Sequence, residues 1–277
     1  NETQRSADYS EIAGYYRPGH ADFTFDPKYG FRDYRGGGRS SGRETAGRVA
    51  AGAVAMKILS LLGVSVCAYT ESIGPVSIDY GRFEESAILT TPACMPDKEA
   101  SAKAEGYLKE CQMAKDSSGG VIACRIKGLP AGIGEPVFEK LDASLAKAML
   151  SIGAVKAFEM GDGTLVSTKK GSENNDAFVM ENGAVRKKTN HSGGTLGGIS
   201  DGCDLFFRAH VKPTPSIFQP QETVNREGEN ITIQIKGRHD PVIVPRAVVV
   251  AESMAALTVL DLMMLNMNAR VEYLEEF

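Results

Sequence analysis

The longest apolar segment of the chain, residues 247–265, carries only two charges, Glu252 and Asp261. It has nearly the length of a membrane span, but two carboxylates in one apolar helix argue against a lipid setting. It reads instead as a core helix, residues 246–268, and a helix apolar on most sides has to be wrapped by other elements. The candidate wrapping is legible upstream. Helical patterns fall at residues 44–62, 97–115 and 137–152, and short β-rich runs at 64–70, 121–127, 154–160, 205–212 and 231–236. In the first helix the apolar positions 50, 53, 54, 58, 61 and 62 form a stripe, and Gly63 supplies the stop. Asp97 is the expected N-cap of the second. Residues 73–96, with three prolines, read mostly as loop, and 164–189 as a solvated loop or hairpin.

Many links are tight glycine turns or long irregular loops, and the strands alternate as sheets with one covered face do. The expected fold is therefore α+β: long buried helices sandwiched between largely antiparallel sheets. Neither a repeat nor a linker divides the 277 residues, so one domain is expected. Net charge of −4 and a pI near 5.7 argue against a general nucleic-acid binder. The five cysteines are scattered and never spaced as CxxC, which fits a reducing cytosol and offers neither a zinc site nor a disulfide framework. The first residues, NETQRSADYS, have no apolar run and read as the interior of something longer rather than a signal peptide.

Against the acidic total, residues 32–48 (RDYRGGGRSSGRETAGR) hold five arginines and five glycines. Arginine grips planar phosphate or carboxylate, and glycine lets backbone approach a ligand. Taken alone, the stretch is equally a solvated basic loop. It contains no aromatics over residues 35–48, which weighs against RNA binding. Three further loops share its character: NHSGGTLGGISDG at 190–202, KPTPS at 212–216 and GRHDP at 237–241, with RPGHAD at 17–22 preceding all of them. None is a P-loop or a dinucleotide fingerprint. Together they suggest a site of backbone N–H groups, hydroxyls, Arg, Lys and His suited to a multi-anionic ligand. His20, His191 and His239 are the candidate acids or bases near neutral pH, although a loop histidine is commonly exposed and idle. Asp240 is either a proton acceptor or a turn aspartate before proline.

In order, RPGHAD, YGxRDYRGGGRSSxRETAGRVAAG, NHSGGxLGGISxG, KPTPS and GRHDPxxxPRAVxxAE closely resemble the chorismate synthase family, over essentially the whole chain. The resemblance implies a lyase that converts 5-enolpyruvylshikimate 3-phosphate to chorismate and phosphate by an anti-1,4 elimination. It further implies reduced FMN without net redox change, an external, NADP-linked flavin reductant, a cytoplasmic location and a homotetramer. The family's flavin contacts fall on Arg39, Ser40, Ser41, Gly153, Ala154, Gly197, Lys212, Pro213, Thr214, Pro215, Ser216 and Arg238. Its catalytic histidine and aspartate fall on His20 and Asp240, and Arg17, Arg43 and Arg48 are the candidates for the substrate anions. Gly153 departs from the family, where asparagine is common. The family's sequence also contains an upstream GESHG-type motif with a second histidine, so the chain is expected to be an N-terminally incomplete core with impaired turnover. Residues 32–48 and 72–95 are expected to be mobile.

Overall fold

The structure, a computed structural model, describes residues 11–35, 37–181, 183–235 and 240–274. Its centre is a five-stranded antiparallel sheet in the order β2-β1-β3-β9-β4, built from β1 (Ser65–Ile73), β2 (Val76–Ser77), β3 (Gly120–Lys127), β4 (Val155–Met160) and β9 (Leu205–Val211). Period-2 side-chain alternation decides which face is covered. In β9, Leu205, Phe207, Ala209 and Val211 are buried, while Phe206, Arg208 and His210 face the other way. On the covered face lies α6 (Val244–Asn266), packed on β1 and β3. This is the apolar segment that reads as a core helix, and its Glu252 accepts a hydrogen bond from the Ala68 backbone N–H at 3.1 Å. Helix α2 (Thr45–Leu61) packs on α6, and α4 (Leu141–Leu150) bridges α6 and β4. One buried cluster runs through all these elements. The architecture is the expected mixture of helices and antiparallel sheets.

Helix α2 meets α6 through its small residues. Its buried positions are Gly52, Ala55 and Leu59, whereas the large apolar stripe points outward, with Val54 61% and Leu61 80% exposed. The small residues win the α6 contact because close approach of two backbones needs them. A Cβ on Gly52 would stand 2.6 Å from Ser253 Cα.

The helix read at 137–152 begins only at Leu141, because Val137 sits at φ +69, a left-handed conformation that a β-branched residue rarely adopts. Residues 73–96 are better ordered by packing than a loop reading implies. They contain β2 and two 3₁₀ turns and bury Ala87, Ile88, Ala93 and Met95. Arg82 fastens them to Asp97 (Nη2 to Oδ2, 2.7 Å), the carboxylate that also caps α3 (Lys98–Met113) through the Glu99 and Ala100 N–H groups. Burial alone would raise the Asp97 pKa, but Arg82 and the backbone donors hold it well below the usual carboxylate range.

Beyond the main sheet, residues 164–189 form a 3₁₀ turn, a one-turn helix α5 (Gly171–Asn174) and the hairpin β5 (Phe178–Glu181) and β6 (Ala184–Lys187). The glycine-rich segment after it makes a tight hairpin, β7 (Thr195–Leu196) and β8 (Ile199–Ser200). The strand read at 231–236 is β11 (Asn230–Ile233), paired with β10 (Gln221–Val224), which the sequence pattern did not announce. Two short helices, α1 (Asp22–Tyr29) and α7 (Val271–Leu274), complete the described chain.

Candidate functional site

The loop at 17–22 and the loop at 212–216 are far apart in sequence and meet directly. Gly19 has φ +70, and a Cβ there would stand 2.7 Å from Pro215 Cβ, so both conformation and space require glycine. Lys212 Nζ donates to the Gly19 carbonyl at 2.5 Å, and His20 Nε2 lies 2.8 Å from the hydroxyl of buried Ser216. Arg17 turns the loop back on itself. Its Nε and Nη2 each donate to the Asp22 carboxylate at 2.8 Å. Buried Arg32 supports the same loop from behind, donating to the Ile12, Ala13 and Tyr15 carbonyls and stacking on Tyr16 with its guanidinium 5.0 Å from the ring centre. Burial would raise the Asp22 pKa, but the Arg17 bonds and the two cations hold it below its ordinary value. The guanidinium of Arg17 is thus engaged in building the loop.

Beside this contact is a cavity of about 190 Å³, lined by Gln112, Lys115, Asp116, Ser117, Ser216, Ile217, Phe218, Asp240 and Pro241. Asp240 is partly exposed and accepts from Arg246 Nη2 at 3.1 Å. The Thr214 hydroxyl is shielded from solvent and has no hydrogen-bond partner among the described residues. Lys115 closes α3 at φ +58, a left-handed position that glycine takes more cheaply. The sequence reading did not single out Lys115, Asp116 or Ser117. Their only signal was a position just before the Gly119-Gly120 turn.

Arg48 draws the basic stretch to the same end of the sheet. Its Nη1 donates to Ser151 Oγ at 2.6 Å and its Nη2 to Ser151 O at 3.2 Å, while its Nε pairs with Glu44 at 3.0 Å. Two residues past Ser151 come Gly153 and Ala154. Ala154 is at φ +75, and its carbonyl accepts the Lys212 N–H at 2.9 Å. Space around Gly153 is open, with nothing within 4 Å of where a Cβ would lie, so an asparagine there meets no obstacle. Arg39, Ser40 and Arg43 lie on two 3₁₀ turns leading into α2, with Arg39 and Arg43 exposed and Ser41 accepting from the Arg43 N–H at 3.3 Å.

The loop at 190–202 lies elsewhere. It packs against the start of β9, where Phe206 N–H donates to Gly193 O, and Gly198 O accepts from Leu141 N–H at the head of α4. Lys212 follows the other end of β9, so Lys212 and the loop carrying Gly197 lie at opposite ends of that strand. That far end has its own polar cluster. Lys187 Nζ, 1% exposed, donates to Asp201 (2.6 Å), Ser192 (2.7 Å), Asp176 and Asn190 (both 3.1 Å). Asp162 receives both His191 Nδ1, at 2.6 Å, and Lys169 Nζ. Arg238 and His239 lie outside the described residues.

The geometry so assembled has relatives. The sequence profile of chorismate synthase matches residues 1–264. The chain belongs to the chorismate synthase family. A chorismate synthase of Lachnoclostridium phytofermentans is 64% identical over all 277 residues, which make up 76% of that protein's length. One from Agathobacter rectalis is 62% identical over the same span. A crystal structure of chorismate synthase superposes with a TM-score of 0.75 at 28% identity, covering 92% of this chain and 74% of the other. Within the family reading, His20, Lys212–Ser216, Gly153-Ala154, Asp240 and Arg48 are brought to one end of the sheet, and Gly197 is not.

Proposed function

We propose that the chain carries the chorismate synthase reaction, the elimination of phosphate from 5-enolpyruvylshikimate 3-phosphate to give chorismate, in the cleft between residues 17–22, 115–118, 212–218 and 240–241. The observation that carries the reading is the meeting of His20 and Ser216, 2.8 Å apart, beside the unpartnered Thr214 hydroxyl and the Lys212 ammonium. A hydroxyl buried without a partner is costly unless a ligand completes it. That donor set fits the phosphate and polar edge of FMN. Lys212, Thr214 and Ser216 would hold it, with Gly153-Ala154 and Arg39–Ser41 alongside. When bound, reduced FMN supplies transient electron density as the phosphate leaves, with no net redox change.

The protein's own residues then have separate tasks. His20, oriented by Ser216, holds a proton at the cofactor's edge. Asp240 is the acceptor for a proton released during turnover, and its pairing with Arg246 keeps a cation beside the carboxylate. Arg43 and Arg48 contribute positive charge toward the departing phosphate. The reading extends to a cytoplasmic homotetramer that receives its reduced flavin from a separate, NADP-linked source.

The elimination is directly measurable. An anaerobic assay of phosphate release with reduced FMN and 5-enolpyruvylshikimate 3-phosphate tests this directly. FMN-dependent release that disappears in His20→Ala and Asp240→Asn is expected. Release that ignores FMN would overturn the reading. Flavin binding with no release at all leaves the second reading, a non-catalytic FMN-binding core.

A further inference from the structure

A loop with prolines on both sides of one residue cannot hold itself in place. Pro213 and Pro215 have no N–H to donate, so the backbone around Thr214 depends on groups from elsewhere. The turn joining α3 to β3 supplies them. Ser117 Oγ donates to the Thr214 carbonyl at 2.6 Å. Phe218 N–H donates to Lys115 O at 3.1 Å, and Gln219 Nε2 donates to Ala114 O at 2.9 Å, fixing the exit of the loop. On its other side the same turn holds the residue after Asp240, through Ser118 N–H to Pro241 O at 2.7 Å.

We propose that the turn at 114–118 is the positioning element of the cleft and that Ser117 is the residue through which it sets the cofactor loop. Thr214 is the one residue of KPTPS whose carbonyl is held by a side chain from another element and whose hydroxyl is left unpartnered among the described residues. Ser117 fixes the carbonyl, which orients the hydroxyl toward the ligand. The backbone bond at Pro241 sets Asp240 from the same five residues, so the loop and the aspartate keep one frame of reference. Ser117 acts on the ligand through Thr214. It is a positioning residue.

This inference rests on the reading of the cleft as an FMN site, and the test separates the two. FMN is titrated by its fluorescence into the wild-type chain, Ser117→Ala and Ser117→Thr, with melting temperature and amide exchange at Phe218 measured without flavin. Loss of one such hydrogen bond is expected to weaken FMN binding about 3- to 10-fold. The Ser117→Thr chain, which keeps the hydroxyl, is expected to bind as wild type, and Phe218 is expected to exchange faster only in Ser117→Ala. Equal FMN affinity in Ser117→Ala and wild type overturns the proposal. So does a lowered melting temperature with unchanged affinity, which would make Ser117 merely structural. If the wild type itself binds no FMN, the flavin reading fails. The positioning role then stands on faster Phe218 exchange in Ser117→Ala and falls with unchanged exchange.

Discussion

Replacing Gly52 with alanine is expected to lower stability by about 2–3 kcal/mol, the upper part of the range for forcing an extra carbon into a packed core. In a chain of this size that corresponds to a melting temperature lower by roughly 5–10 °C. Alanine is the better helix former by about 1 kcal/mol, so local propensity pushes the other way and the packing term has to exceed it. It does so because the obstruction is backbone. The new Cβ would meet Ser253 Cα at 2.6 Å and the Ser253 side chain closer still, and a Cα cannot rotate away. The helices α2 and α6 must separate, which loosens the buried row Gly52, Ala55 and Leu59. Ser253→Gly in the Gly52→Ala background should recover part of the loss. Thermal denaturation of the two singles and the double measures it, and a Gly52→Ala chain as stable as wild type would show that the helices are not so closely packed.

Lys187→Met is expected to cost about 3–5 kcal/mol, because it leaves two buried carboxylates without their cation. Asp176 and Asp201 are 3% and 6% exposed, and Lys187 is 1% exposed. Burial would lower the lysine pKa, yet its bonds to Asp201 and Asp176 hold it raised. Burial would likewise raise Asp176, but hydrogen bonds from Thr189, Ser192 and His191 hold it below the usual carboxylate range. A carboxyl depressed in the folded state contributes stability above its unfolded pKa of about 3.9, and that contribution is lost as pH falls. Without the lysine the ionised carboxylates become a liability, relieved by protonation. The deficit of Lys187→Met against wild type is therefore expected to be largest near pH 7 and to shrink toward pH 4. Urea denaturation at both pH values checks this, and a deficit that grows on acidification contradicts it.

Both residues show what was and was not legible beforehand. The core helix was legible because an apolar segment with two carboxylates has few other homes. Helix α2 was legible as a helix, but the face it turns to α6 was not. Large apolar residues mark a stripe, while the α6 contact depends on how little Gly52 and Ala55 occupy. The left-handed turn at Val137 left no trace in composition, so the helix after it was started too early. Within the site, RPGHAD and KPTPS belong together, as their shared character suggested. The loop at 190–202 has the same composition and lies at the opposite end of β9, because strand direction, not residue type, decides which loops meet. Arg17 is a candidate for a substrate anion in the sequence, and in the fold its guanidinium is bonded to Asp22. Ser117, in an unremarkable turn, was invisible until its bond to Thr214 was seen.

In the proposed function, flavin binds where residues 17–22, 114–118, 212–218 and 240–241 meet. Amide hydrogen exchange with and without FMN tests it most directly. FMN is expected to slow exchange across residues 17–22 and 212–218, with a smaller effect at 114–118. Protection confined to residues 190–202, or no change anywhere at saturating FMN, would contradict it.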